Sequence, residues 1–169
     1  LTNAPATLNG SGTTRFNGDV LNASIETDSA GTTEINTANI NPAGTITFND
    51  PVTLIADTTL DGSNITLADT VDGGQTLTLN TTGTTTLGGA VGTGTNLTSL
   101  TTNAGGTTAI DGGAVTTTAA QTYNDPVTLG ADASLTGTDL TFGNTVNGGQ
   151  ALTLNGSGTT TFSGVVGGG

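Results

Sequence analysis

Acid–base chemistry in this chain has to come from carboxylates. The 169 residues hold 13 Asp and Glu but no His, no Cys, a single cation, Arg15, and a single Tyr. The usual nucleophile–base pairs therefore cannot be assembled. Asp50 and Asp57 return as Asp125 and Asp132, which reads as a turn requirement repeated with the architecture. Asp61 and Asp72 would serve as acids, yet they become Thr136 and Asn147. Enzymes that process acidic polysaccharides need cationic groups for the substrate carboxylates, and Arg15 is matched by Thr86 and Thr161, as a surface variant would be. The chain reads as a non-enzyme, with no catalytic residue and no cofactor.

Calcium needs several oxygen ligands brought together, and oxygen is abundant here. Neither an EF-hand loop nor the glycine-rich calcium-binding nonapeptide occurs, however. The acidic residues fall singly at corners and read as solvated turn carboxylates, so no metal site is assigned. The sequons Asn64-Ile-Thr and Asn96-Leu-Thr are expected by chance in a chain this rich in Asn and Thr.

The elements that carry these residues are written twice. The hexapeptide NDPVTL occupies Asn49 to Leu54 and returns at Asn124 to Leu129. Laid without a gap, Thr47 to Gly92 and Thr122 to Gly167 are identical at 28 of 46 positions, which marks an internal repeat with an offset of 75. Where the copies differ, apolar replaces apolar: Phe48 by Tyr123, Ile65 by Leu140, Leu67 by Phe142, Leu87 by Phe162. Those positions should point inward. Exchanges among small polar residues, such as Asp61 to Thr136, Asn64 to Asp139, Asp69 to Asn144 and Thr81 to Gly156, should face water. Thr7 to Val20 echoes Thr153 to Val166, and Ala30 to Ile35 echoes Gly105 to Ile110. The expected organisation is one domain over residues 1–169 with long repeats at about 1–45, 46–120 and 121–169, the outer two partial, as if cut from a longer array.

Composition sets the fold class. Of the 169 residues 42 are Thr and 28 are Gly. Branched Thr resists helix and suits a pleated surface, while Gly punctuates. No window shows helical spacing of apolar residues, whereas in-out-in triplets such as ITF, VTL, ITL and LTL recur on schedule in both copies. An unfolded linker has no need of that pattern. The net charge of −12 opposes phosphate backbones and anionic membrane surfaces, so no nucleic acid and no membrane insertion is expected. No apolar run approaches the ~20 residues of a spanning helix, and an export signal would lie outside this sequence.

Similar strand and turn motifs recur about every 19 to 23 residues: Phe48 to Leu67 is 19, Leu67 to Leu87 is 20 and Leu79 to Leu100 is 21. With a repeat and strands too short for a sandwich, this predicts a parallel β-helix of about eight coils rather than hairpins, a rod of ~40 Å at one inter-strand spacing per coil. The predicted inward column holds Val20, Ile46, Phe48, Val52, Leu54, Leu60, Ile65, Leu67, Val71, Leu77, Leu79, Leu87, Leu100, Ile110, Tyr123, Val127, Leu129, Leu140, Phe142, Leu152, Leu154 and Phe162. Thr53, Thr66, Thr78 and Thr153 should look outward. Residues Ile110 to Tyr123 fit either a short coil or part of a longer one. NDPVTL reads as a corner followed by a side: Asn-Asp bonds back to nearby backbone and tolerates unusual φ, Pro51 presets φ, and Val-Thr-Leu restarts the strand. Its return should mark the same corner in the next unit.

The segments LTLNGSGTTTFSGVVG and QTYNDPVTLGADASLTGTDLTFGNTVNGG resemble the repeats of large filamentous-haemagglutinin-type exoproteins and related bacterial surface adhesins. The resemblance implies a right-handed parallel β-helix, export by a two-partner or autotransporter route to the outer surface, and service as a fibrous shaft. The expected function is thus a structural shaft segment that presents adhesive regions. Its partners would be neighbouring coils of the same parent chain, and host-cell or surface glycans met through regions outside this sequence. It would be a monomer able to associate end to end. Two alternatives stand beside it. A carbohydrate-binding module with a groove along one coil face has few aromatics for sugar stacking, Tyr123 and four Phe. Ice binding by ranks of outward Thr such as Thr53, Thr66, Thr78 and Thr128 requires a regular lattice, which uneven coil lengths should break.

Overall fold

Thr and β-branched residues at every second position give short strands that stand on edge in a stack, each too short to bury a face alone. The computed structural model describes residues 4–21 and 23–167, and the expected domain limits at 1 and 169 lie outside these. Its elements are strands throughout, and every strand pair is parallel. The chain winds as a β-solenoid of about eight turns with three sides per turn. Face A stacks eight strands from Ala6–Leu8 to Val146–Asn147, and face C stacks seven from Asn39–Ile40 to Thr160–Phe162. Face B is split into a stack of four, Thr13–Phe16 to Val71–Asp72, and a stack of three, Ala114–Thr116 to Leu152–Gly156. Val91 bridges the two, pairing with Val71 on one side and Val115 on the other.

Register is set by the inward column. Phe48 lies on Leu67 and Leu67 on Leu87, as the spacing predicted. Leu79 lies on Thr102, not on Leu100, which pairs with Leu77. That coil is longer than the spacing suggested because the exposed residues 93–96 bulge outward, while the strands on either side hold register. The residues Ile110 to Tyr123 complete a single coil: Ile110 ends a face A strand, Val115 sits on face B and Tyr123 on face C.

Most of the predicted column is buried, and Phe16, Ile25, Ile35, Ile40, Val91, Leu97, Val115, Ala133, Leu135 and Val146 join it. Four members depart from the expectation. Val20, Leu152 and Leu154 are half-buried against the core, and Phe162 is 39% exposed. They lie on the first and last described coils, where only one neighbour covers them. Aromatic rings stack along face C, Tyr123 on Phe142 at 5.2 Å and Phe142 on Phe162 at 4.8 Å, nearly parallel.

The 75-residue repeat and the coil do not share a period. From Ile46 to the residue before Gln121 the chain traverses eleven sides, counting Val91 as one. Three sides make a coil, so one unit is three coils and two further sides. Copies of the same segment therefore fall on different faces. Ile46–Phe48 lies on face A and its counterpart Gln121–Tyr123 on face C; Val52–Leu54 lies on face B and Val127–Leu129 on face A. The partial first copy obeys the same rule: Thr13–Phe16 is on face B, Thr84–Leu87 on face A and Thr160–Phe162 on face C. NDPVTL is thus a corner followed by a side in both places, but not at the same corner. Its first occurrence turns from A to B and its second from C to A.

Replacing Leu79 by Ala should lower the unfolding free energy by about 2–5 kcal/mol through the cavity it opens, whereas Thr78→Val, one residue away and facing out, should stay within about 0.5 kcal/mol. Urea midpoints of the two variants check this, and equal shifts would contradict the inward assignment.

Candidate functional site

Several corner carboxylates are committed to the backbone, among them Asp72 of the two weighed as acids, whereas Asp61 makes no such bond. A corner side chain on one coil accepts from a backbone N–H on the next: Asp57 from Thr76 at 2.8 Å, Asp132 from Ala151 at 2.9 Å, Asp139 from Thr159 at 2.7 Å, and Asn64 from Thr84 at 2.8 Å. Asp72 accepts from Gly94 and Thr95 in the outward bulge, at 2.8 and 3.0 Å. Corner N–H groups that no ladder can reach are satisfied this way. Asp57 and Asp132 are the turn requirement expected of them. Arg15 is exposed and its Nε donates to Glu34 at 2.6 Å.

Asp50 and Asp125 correct the expectation of solvated turn carboxylates, since they are 2% and 1% exposed. Asp50 reaches into the preceding coil, where the Thr27 hydroxyl donates to it at 2.7 Å and the Thr33 hydroxyl at 2.9 Å. Thr27 in turn accepts from the Asn49 N–H at 3.1 Å, and Asn49 Nδ2 donates to the Thr27 carbonyl at 2.7 Å. The second copy repeats the arrangement: Thr102 and Thr108 donate to Asp125 at 2.7 and 2.9 Å, and Asn124 Nδ2 to the Thr102 carbonyl at 2.8 Å. The Asn-Asp pair bonds to the coil below rather than to nearby backbone, and no non-Gly residue among those described has positive φ. A buried charge with no cation is held by hydroxyls alone, which is tolerable because each donor is supplied by a fixed wall.

Thr81 also corrects the expectation that it faces water. It is buried, its hydroxyl donating to the Ser63 carbonyl at 2.6 Å and accepting from the Gly83 N–H at 3.0 Å. Sequence reasoning missed the inward Thr residues and a second buried polar group, Gln121 with Tyr123. The Tyr123 hydroxyl donates to Gln121 Oε1 at 3.0 Å, while Gln121 Nε2 donates to the carbonyls of Thr136 at 2.9 Å and Val115 at 3.1 Å. The available signal was the replacement of Ile46 and Phe48 by Gln121 and Tyr123 at inward positions. Burial holds the Tyr123 phenol far above its ordinary range, and the charge of Asp125 adds to this. Thr85, buried on face A, has a hydroxyl with no partner.

Asp50 and Asp125 sit at different corners of different coils and are not brought together. Among the described residues no group of three or more His, Cys, Asp or Glu is placed to hold a metal ion. Among the described residues there is no helix long and apolar enough to cross a membrane.

The outer surface of face C is more regular than uneven coils suggested. Thr59, Thr78, Thr101, Thr122, Thr141 and Thr161 stand in register, one per coil. Extra residues leave through the bulge, so the column is not broken, although Asp57, Asp61 and Asp139 flank it with charge. Beside it runs a second line, Asn41, Asp61, Asn80 and Asn103, fixed by the registers of Ile40 on Leu60, Asp61 on Asn80 and Leu79 on Thr102. These four line a shallow groove of about 550 Å³ at the corner between faces C and A, with Pro42, Ala43, Ser63 and Thr82.

Comparison with protein-family models, with curated proteins and with solved structures finds no match for this chain.

Three outcomes follow from the buried polar groups. Thr33→Val or Thr108→Val should cost about 1.5–3 kcal/mol, the worth of a hydrogen bond to a buried charge, and Thr85→Val should gain about 1 kcal/mol by deleting an unpartnered hydroxyl, both read from urea midpoints. Above pH ~10 the unfolded chain releases the phenol proton while the folded chain keeps it, so the unfolded state binds fewer protons and stability falls by about 1.4 kcal/mol per pH unit. Below pH ~10 that contribution is fully present. With one Tyr and no Lys or Cys in the chain, Tyr123→Phe should abolish the alkaline slope, and an unchanged slope in that variant would contradict the assignment.

Proposed function

We propose that the chain is a structural shaft segment of a secreted or cell-surface bacterial adhesin, a spacer that extends and presents adhesive regions carried elsewhere. One observation carries the reading: coils stack in a single unbroken column, so sequence length converts linearly to distance. At one inter-strand spacing of ~4.8 Å per coil, a unit of eleven sides adds about 18 Å. Repetition is what such a spacer needs, since any number of units can be joined without a new interface. The sequence resemblance to exoprotein repeats and the acidic surface, which keeps neighbouring fibres apart, support the same reading. Carboxylates spent on corner N–H groups fit a structural role better than an enzymatic one.

Small-angle scattering on chains with one and two added 75-residue units should show the maximum dimension rising by about 18 Å per unit at constant cross-section. Antibody against this chain should label intact cells that produce it. Reactivity confined to lysates would overturn the surface assignment, and growth in cross-section would overturn the spacer.

A further inference from the structure

The line of Asn41, Asp61, Asn80 and Asn103 differs from many polar corners in what it leaves undone. Several corner side chains elsewhere are used internally: Asp57 and Asp132 cap the next coil, Asn49 and Asn124 grip the coil below, and Asn36 donates to Asn17 at 3.1 Å. Among the described residues the side chains of Asn41, Asp61 and Asn80 have no partner, and Asn103 spends only Oδ1, which accepts from the Thr81 N–H at 3.2 Å. They face one groove, one residue per coil, at intervals of about 4.8 Å. The groove volume, about 550 Å³, lies in the range of ligand sites.

The positions 75 residues further on serve as an internal contrast. The counterparts of Asn41, Asp61 and Asn80 are Thr116, Thr136 and Asn155. The carboxylate is gone, and Asn155 Nδ2 is drawn onto the Ser134 and Thr136 hydroxyls at 3.2 and 3.4 Å. The open line is thus not repeated 75 residues further on and is not required by the coil.

We propose that this groove binds a neutral glycan chain laid along the shaft axis, with Asp61 and Asn80 as the central contacts. Amides and a carboxylate offer alternating donors and acceptors to sugar hydroxyls, and the Ser63 and Thr82 hydroxyls extend them. Exposed Ala43, backed by buried Pro42, gives a small apolar patch against which a sugar rests. An anionic chain is refused, because Asp61 is the only charge in the groove and the sole cation, Arg15, is paired with Glu34 on face B. No aromatic ring lines the site, so affinity is millimolar. This inference does not rest on the spacer reading, since it concerns one corner of this chain and not its length.

Amide-resolved NMR titration of the full chain with cellohexaose, mannohexaose and xylohexaose tests it, with hexagalacturonate and calcium chloride as separate arms. At least one neutral hexasaccharide should give saturable shifts confined to residues 41–43, 61–63, 80–82 and 103. The double variant Asn41→Thr, Asp61→Thr places there the residues that the chain carries 75 positions further on, where Thr116 and Thr136 pair in register, and should weaken binding at least tenfold while leaving the remaining spectrum unchanged. Absence of saturable shifts with all three, equal binding by the variant, or groove shifts produced by hexagalacturonate or calcium instead would overturn the proposal.

Discussion

Most hydrogen bonds in this molecule join residues about one coil apart. Backbone ladders on three faces join residues 19 to 24 apart, and where the chain turns and no ladder exists, a corner carboxylate or amide takes over at the same separation. This axial pairing dictates the rest. It fixes the side-chain alternation, because a slip of one residue would carry every inward Leu and Ile to solvent. It also dictates where irregularity is tolerated: extra residues leave through the bulge at 93–96 and the ladders close again above it.

Inside the column the packing is not uniformly apolar, and the exceptions act at corners. Asp50 and Asp125 tie two Thr hydroxyls of the coil below, one at the end of a strand and one at the start of the next. A leucine in the same place would bury more apolar area but would fit any of several registers. The carboxylate fits one, because a shifted coil presents it with methyl groups and leaves a buried charge unpaired. Both copies keep the pair of Thr residues at matching offsets, so the motif is longer than NDPVTL and reaches back 23 residues to Thr27 and Thr102.

The solenoid was legible because its strongest signal, the in-out-in triplet, is local and repeats. Phe48 on Leu67 and Leu67 on Leu87 follow directly from it. What escaped was of two kinds. Thr serves both sides of the wall: outward Thr78 and inward Thr85, Thr102 and Thr108 are the same letter, and only the coil above or below tells them apart. Pairings between coils of unequal length escaped as well, since Leu79 to Leu100 is a plausible step until the bulge at 93–96 is known to intervene. The burial of Asp50 could not be read from its corner, because its partners lie a coil away.

The mismatch between repeat and coil follows from the same economy. A unit of twelve sides would return each segment to its own face and build three chemically distinct sides; a unit of eleven turns each copy onto another face. Segments must then pack equally well on all three, which explains why apolar residues exchange freely for apolar ones between copies: the wall opposite Leu67 is not the wall opposite Phe142. It also means that a feature written once per unit, such as the Asp50 corner, climbs the shaft as a screw and meets every side within three units. A feature not repeated 75 residues on, such as the open line from Asn41 to Asn103, instead marks a single side at a single height.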